Sequence, residues 1–217
     1  YEVEGGTKDD PTRVYFSNKP KYGGQIVDKR GSTAGELFVL KGGYTEFIGT
    51  NGSFETTFNC NGHSFLSDDA NPDKTYGEDS VIDKRRAGGS LNFKMSGIDL
   101  RTIKGKSSKR AIALYGTMDG GESAVFEDVS VIDWDCRTGT ASYGHDHSYG
   151  NSTYLYTASP APVTIRGSQN SGKNLDVTFN NCKFEGNRDH CAGALSVVGR
   201  GFRPSVVLNN CTFNNNR

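Results

Sequence analysis

Apolar residues come in short alternating runs along this chain, and turns rich in Gly, Asn, Asp and Ser separate them. The clearest run is written twice near the C-terminus. Val177-Thr178-Phe179-Asn180-Asn181-Cys182-Lys183-Phe184-Glu185-Gly186-Asn187 returns as Val206-Val207-Leu208-Asn209-Asn210-Cys211-Thr212-Phe213-Asn214-Asn215-Asn216. Phe179 and Leu208, Cys182 and Cys211, and Phe184 and Phe213 are each 29 positions apart. A fixed period of this size marks a stacked, quasi-one-dimensional architecture.

The kernel of the pattern is apolar at i, i+3 and i+5. Phe126, Val129 and Val131 fit it, as do Met95, Ile98 and Leu100, and Cys60, His63 and Phe65 fit less well. The last two positions of each kernel share one face of a strand. The first step cannot be plain alternation, so it predicts a bend between two short strands. Asn-Asn or Ser-Gly stands there, and Asn and Gly accept the left-handed conformation such a corner needs. A second strand recurs between kernels, at Ala111 to Tyr115, Val163 to Ile165 and Gly193 to Val198. Three short strands and three turns per coil predict an all-β fold, a single-domain right-handed parallel β-helix. Its inward positions form ladders of like residues: Phe126, Phe179 and Leu208; Cys182 and Cys211; Phe184 and Phe213; Asn187 and Asn216.

Residues 1–35 are polar and broken by Pro11, Pro20, Gly5-Gly6 and Gly23-Gly24, and read as an N-terminal cap or lead-in with short strands at Val14 to Phe16 and Gln25 to Val27. Residues 36–217 then form the β-helix, with loop excursions at about 66–90 and 136–159. The opening at Tyr1, without signal peptide or initiator Met, leads us to expect a processed or trimmed product. The end at Arg217, in mid-rung, leads us to expect a partner or a longer array that completes the coil.

Composition narrows this picture. Only 34% of the 217 residues are hydrophobic and 28 are Gly, which suits rungs with a small apolar interior and many polar turns. Lys+Arg and Asp+Glu balance at 25 each, so no bulk field recruits nucleic acid or anionic membrane. No apolar run reaches the roughly 18 residues a membrane span needs. The 5 cysteines include no CxxC pair, which argues against a structural zinc site.

Phe184-Glu185-Gly186-Asn187 followed by Ala192-Gly193-Ala194-Leu195 resembles the paired FxxN and GGA(I/L/V) repeats of the polymorphic outer membrane protein family of chlamydial autotransporter adhesins, and Phe213-Asn214-Asn215-Asn216 is a second FxxN. The match covers residues 177–217. Ala192 replaces the first glycine of the GGA motif. The resemblance implies a parallel β-helix in an extracellular or cell-surface setting.

Several clusters carry candidate chemistry, each with a plainer alternative. Asp133 and Asp135 flank Trp134, and both face outward if Trp134 points in. Paired carboxylates on a β-helix face, with Arg137 or Arg166 nearby, suit acid–base work on polysaccharides; two surface aspartates at a strand end are the alternative. His145 and His147 share a face of an extended segment, and His190 is a candidate third metal ligand; a solvated loop tip is the alternative. Asp69 to Asp73 opens like a calcium loop, but Lys74 and Ser80 break the EF-hand pattern. A looser calcium site of Asp68, Asp69, Asp73, Glu78 and Asp79 competes with a solvated acidic loop, and otherwise no cofactor is implied. The basic run Lys104 to Arg110 lacks aromatic residues for base stacking. Stacked cysteines at core positions act as small hydrophobes, with Cys182–Cys211 or Cys136–Cys191 disulfides as alternatives. Asn51, Asn151 and Asn210 open glycosylation sequons, Asn151 being the best placed and Asn210 shielded at a corner.

These features lead us to expect an extracellular structural or adhesive β-helix that self-associates as a filament, sheath or surface-layer subunit, or belongs to a longer adhesin. Its partners are copies of itself end to end, or another cell-surface protein. A carbohydrate-active β-helix enzyme, and a carbohydrate-binding β-helix using Tyr143, Tyr149, Tyr154 and Tyr156, are the other readings.

Overall fold

The computed structural model describes residues 1–18, 24–29, 36–52, 56–61, 63–68, 88–102, 110–116, 120–136, 161–166, 175–189, 192–198 and 204–217. The described chain visits three sheets in turn and does so six times. The first rung holds β1 (Glu2–Val3), β2 (Thr12–Phe16) and β3 (Gln25–Val27). The second holds β4 (Phe38–Leu40), β5 (Gly43–Gly49) and β6 (Thr56–Asn59). The third holds β7 (Leu66–Asp68), β8 (Leu91–Ser96) and β9 (Ile98–Arg101). The fourth holds β10 (Ile112–Tyr115), β11 (Glu122–Glu127) and β12 (Ser130–Ile132). The fifth holds β13 (Val163–Arg166), β14 (Leu175–Asn180) and β15 (Lys183–Glu185). The sixth holds β16 (Leu195–Val198), β17 (Ser205–Asn209) and β18 (Thr212–Asn214). Sheet A runs β1-β4-β7-β10-β13-β16, sheet B runs β2-β5-β8-β11-β14-β17, and sheet C runs β3-β6-β9-β12-β15-β18. All named strands pair in parallel, so the chain is an all-β parallel β-helix with three short strands per rung.

Short strands suffice because each rung finds its hydrogen bonds in the rungs on either side. The bends between β-strands of sheets B and C are left-handed, at Gly97 (φ 68°), Asp128 (φ 54°), Asn181 (φ 53°) and Asn210 (φ 51°). They fall on the residue types that tolerate this conformation. Outside the corner, Asn209 donates to the Asn180 side chain at 2.9 Å and Asn210 to the Asn181 side chain at 2.7 Å, each pair 29 residues apart.

Register stacks like on like. Met95, Phe126, Phe179 and Leu208 occupy one inward column of sheet B, with Phe47 and Val14 below them. Leu100, Val131, Phe184 and Phe213 form the matching column of sheet C, with Phe58 and Ile26 below. Phe126 and Phe179 stack at 4.7 Å with planes 11° apart, and Phe184 and Phe213 at 4.7 Å and 9°. That separation is the strand spacing itself, so backbone pairing and ring stacking are satisfied together. Lower in the stack Phe16, Phe38, Phe47, Phe58 and Phe65 meet edge-on or tilted and fill a wider aromatic core. β10 is buried on both faces: Ile112 and Leu114 join the main core, while Ala113 and Tyr115 form a second small cluster.

The inward asparagines act as staples. Asn187 Nδ2 donates to Val131 O at 2.8 Å and its Oδ1 accepts from Trp134 N at 3.0 Å. Asn216 repeats this one rung on, donating to Phe184 O at 2.8 Å and accepting from Asn187 N at 3.1 Å. Trp134 stands in the corresponding place of the fourth rung, fully buried, and its Nε1–H reaches Leu100 O at 3.4 Å. A different side chain thus delivers a donor to the same kind of carbonyl, which sequence comparison of the motif alone does not show.

The short strands expected at Val14 to Phe16 and Gln25 to Val27 fall in β2 and β3, which with β1 supply the first strand of every sheet. Two expectations shift. The Cys60, His63 and Phe65 kernel is out of register. Phe47 and Phe58 hold its ladder places, because the turn between β5 and β6 is longer than in later rungs and hides the i+5 spacing. The excursion expected from residue 66 begins later, since Leu66 is fully buried between Phe38 and Ile112 in sheet A. Residues 69–87 and 137–160 lie outside the described residues.

The ladders predict a contrast in stability. Phe184 is 1% exposed and Phe213 is 47% exposed. Phe184→Ala is therefore expected to cost about 3–5 kcal/mol, as for other buried aromatics, and Phe213→Ala less than half of that. Asn187→Ala, which strands two buried backbone groups, should cost about 1–3 kcal/mol. Urea unfolding of the three variants checks this; equal losses at Phe184 and Phe213 are the result the ladder cannot accommodate.

Candidate ligand-binding groove

The outer edge of sheet C and the turn that follows it form a groove of about 570 Å³. It is built by the same register as the core. Arg101 comes from the third rung, Ile132, Asp133 and Asp135 from the fourth, Glu185, Gly186 and Arg188 from the fifth, and Asn215 and Arg217 from the sixth. The groove therefore runs along the stack.

Its depth has a local cause. Asp133 (φ 60°), Gly186 (φ 66°) and Asn215 (φ 52°) turn the chain at successive rungs. A Cβ at Gly186 would lie 2.7 Å from Asp133 Oδ1. Glycine at this left-handed position leaves room for the Asp133 carboxylate, which lies against it. Trp134 and Asn187 point inward, so their neighbours Asp133, Asp135 and Arg188 turn toward the groove, and Glu185 does so as the outward neighbour of the inward Phe184. Asp135 pairs through its backbone with Arg188, and Arg217 continues that column through backbone bonds of 2.9 Å to Asn187 O and from Asp189 N. Along the far wall Arg101 is fixed by Asp99, its Nε 2.5 Å from Oδ2. Asp99 is itself buried and also accepts from Ser130 and, at 3.4 Å, from Thr57. Among the described residues the guanidinium groups of Arg188 and Arg217 and the carboxylate of Glu185 make no side-chain hydrogen bond or ion pair.

Gly193 of the GGA-like motif also has a mechanical role. A Cβ there would stand 2.5 Å from Arg217 N, so the backbone that follows the FxxN of one rung crosses directly over this glycine.

The remaining candidates fall as follows. Asp133 and Asp135 are brought together with Arg188 in one groove. Arg137, His145, His147, His190, Asn151, Cys191 and the four tyrosines at 143, 149, 154 and 156 lie outside the described residues, as do Lys104 to Lys109, Asp69, Asp73, Glu78, Asp79 and the side chains of Asp68 and Arg166. Among the described residues no three or more His, Cys, Asp or Glu side chains converge as metal ligands, and no helix is long and apolar enough to cross a membrane. Asn51 is exposed, its Oδ1 accepting from Thr50 at 3.3 Å and Thr56 at 3.4 Å. Asn210 was expected to be shielded but is exposed on the sixth rung, its amide engaged with Asn181. Glu185, Arg188 and Arg217 were not singled out by sequence, because their meeting with Asp133 depends on rung register. The near-repeat of Asp135, Arg188 and Arg217 after successive ladder residues was the available signal.

Cys182 and Cys211 stand one above the other as thiols, not as a disulfide. Cys182 Sγ donates to Asn180 O at 3.4 Å and Phe126 O at 3.6 Å, and Cys211 Sγ to Asn209 O and Phe179 O, both at 3.4 Å. Burial pushes the Cys182 thiol up to about 12, a hydrogen bond at the Val129 backbone working against that rise.

Compared with protein-family models, curated proteins and solved structures, the chain matches none.

Cys182 sets a pH dependence. An unfolded thiol ionises near roughly 8.5, while the buried one stays neutral to about 12. Its stabilising contribution is therefore complete below roughly pH 8.5 and falls as pH rises above it, by at most about 1.4 kcal/mol per pH unit. Cys182→Val, which copies Val129 one rung below, should remove this part of the slope when denaturation midpoints are compared at pH 8 and pH 10. An unchanged slope in that variant would assign the alkaline loss to other groups.

Proposed function

We propose that the chain is an extracellular or cell-surface β-helix with a structural or adhesive role, as a filament, sheath or surface-layer subunit or as a segment of a longer adhesin. The observation that carries this reading is the groove. Its charged residues come from four successive rungs and lie along the stack on a frame locked by backbone pairing. A surface of this shape suits holding an extended partner in fixed register, since rungs cannot slide without breaking every ladder at once. The likeness of Phe184 to Leu195 to polymorphic outer membrane protein repeats supports the same setting. Association with copies of itself, or with another cell-surface protein, is part of the proposal.

The presence of Asp133 and Asp135 in one groove favours a second reading, a carbohydrate-active enzyme of the hydrolase or lyase type.

Two measurements separate these readings. Saturable retention of the purified chain on cell surfaces or matrix, or filaments and sheets in electron micrographs of concentrated protein, is the expected result. A chain that stays monomeric and adheres to nothing overturns the structural and adhesive reading. Turnover of a polysaccharide panel that is lost in Asp135→Asn would replace it with the enzymatic one.

A further inference from the structure

We propose that the groove on sheet C binds an acidic polysaccharide, its anionic group held between Arg188 and Arg217. This inference deepens the adhesive reading by naming the partner's chemistry, and it rests on that reading.

Arg188 and Arg217 are adjacent members of one column, one rung apart, which is about 4.8 Å between backbones. Like charges placed directly opposite each other on neighbouring strands repel. Asp135 flanks Arg188 on the other side but is itself buried, at 9% exposure. Two guanidinium forks without an ion-pair partner among the described residues form a ready seat for a carboxylate or sulfate, which each fork matches geometrically. On the other side of the Gly186 column stands Glu185, exposed and also without an ion pair among the described residues. Asp133 and Asn215, of that same column, line the groove between them.

This arrangement selects among anions. A ligand entering here must present negative charge to the arginine side and hydrogen-bond donors to the Glu185 side. A sugar ring with an acidic group on one edge and vicinal hydroxyls on the opposite edge meets both demands, the diol donating to the Glu185 carboxylate. A polyanion charged on every side, such as an acidic peptide, meets only the first and is repelled by Glu185 and Asp133. Because the groove crosses rungs three to six, several sugar units of one chain can lie along it.

The test is titration of the intact chain with four probes: oligouronate for the carboxylate, a sulfated glycosaminoglycan fragment for the sulfate, dextran as the neutral sugar and polyglutamate as the acidic peptide. Expected is binding of oligouronate, the sulfated fragment or both, and no measurable binding of dextran or polyglutamate. Arg188→Gln and Arg217→Gln, both outward-facing, should each weaken the bound acidic sugar about tenfold, while Lys94→Gln on sheet B leaves it unchanged. Glu185→Gln is the decisive variant. If Glu185 accepts from a sugar diol, affinity falls about threefold; if the site is only a patch of positive charge, affinity rises. A rise in that variant, equal binding of polyglutamate, or no binding of either acidic sugar overturns the proposal. In the last case continued surface adhesion would leave the adhesive reading standing, whereas loss of adhesion as well would remove both.

Discussion

Parallel pairing between successive rungs is the constraint on which every other contact depends. A coil whose strands run from 2 to 7 residues cannot satisfy its own backbone or bury its own apolar side chains. It does both only by lying in exact backbone register with the coils above and below, as Ala124, Val125 and Phe126 do against Val177, Thr178 and Phe179. Because rung spacing and ring-stacking distance coincide near 4.7 Å, the pairs Phe126–Phe179 and Phe184–Phe213 reinforce that register without distorting it. A slip by one residue would turn these rings outward and bring the polar face in.

The stack is not uniform, and the way it varies shows how different side chains meet one requirement. Its lower rungs pack phenylalanines edge-on across the interior, while the upper rungs use columns of single residues from each coil. At the corner after sheet C the recurring need is a donor for the carbonyl of the ladder residue below. Asn216 and Asn187 meet it with an amide and Trp134 with an indole N–H. Asparagine also returns an acceptor to the backbone, which tryptophan cannot do, whereas tryptophan fills more of the core.

The groove is a by-product of that regularity. Residues flanking the staple alternate outward, so Asp135, Arg188 and Arg217 line up because Trp134, Asn187 and Asn216 line up. In the turn, Gly186 stands where Asp133 and Asn215 stand in the neighbouring rungs, and its missing side chain leaves room for the Asp133 carboxylate. Groove and core are thus set by one register.

The architecture and its ladders can be read from the order of residues along the chain. The i, i+3, i+5 kernels at Met95, Phe126, Phe179 and Leu208, with Gly, Asp or Asn at the bend, encode strand, corner and strand, since side-chain alternation and left-handed φ are local properties. The order also sets Asp133 and Asp135 on either side of Trp134, both outward once Trp134 points in. The lower rungs were less legible, because the longer turn after β5 separates Phe47 from Phe58 and the kernel spacing disappears. Three relations emerge only in the folded molecule: β1, β2 and β3 already form a rung, Trp134 and Asn187 do the same task, and Glu185, Arg188 and Arg217 share a groove with Asp133. These are relations between residues of different coils. The number of residues between coils is free to vary, so separation along the chain does not predict which side chains meet; the hydrogen-bonded register does.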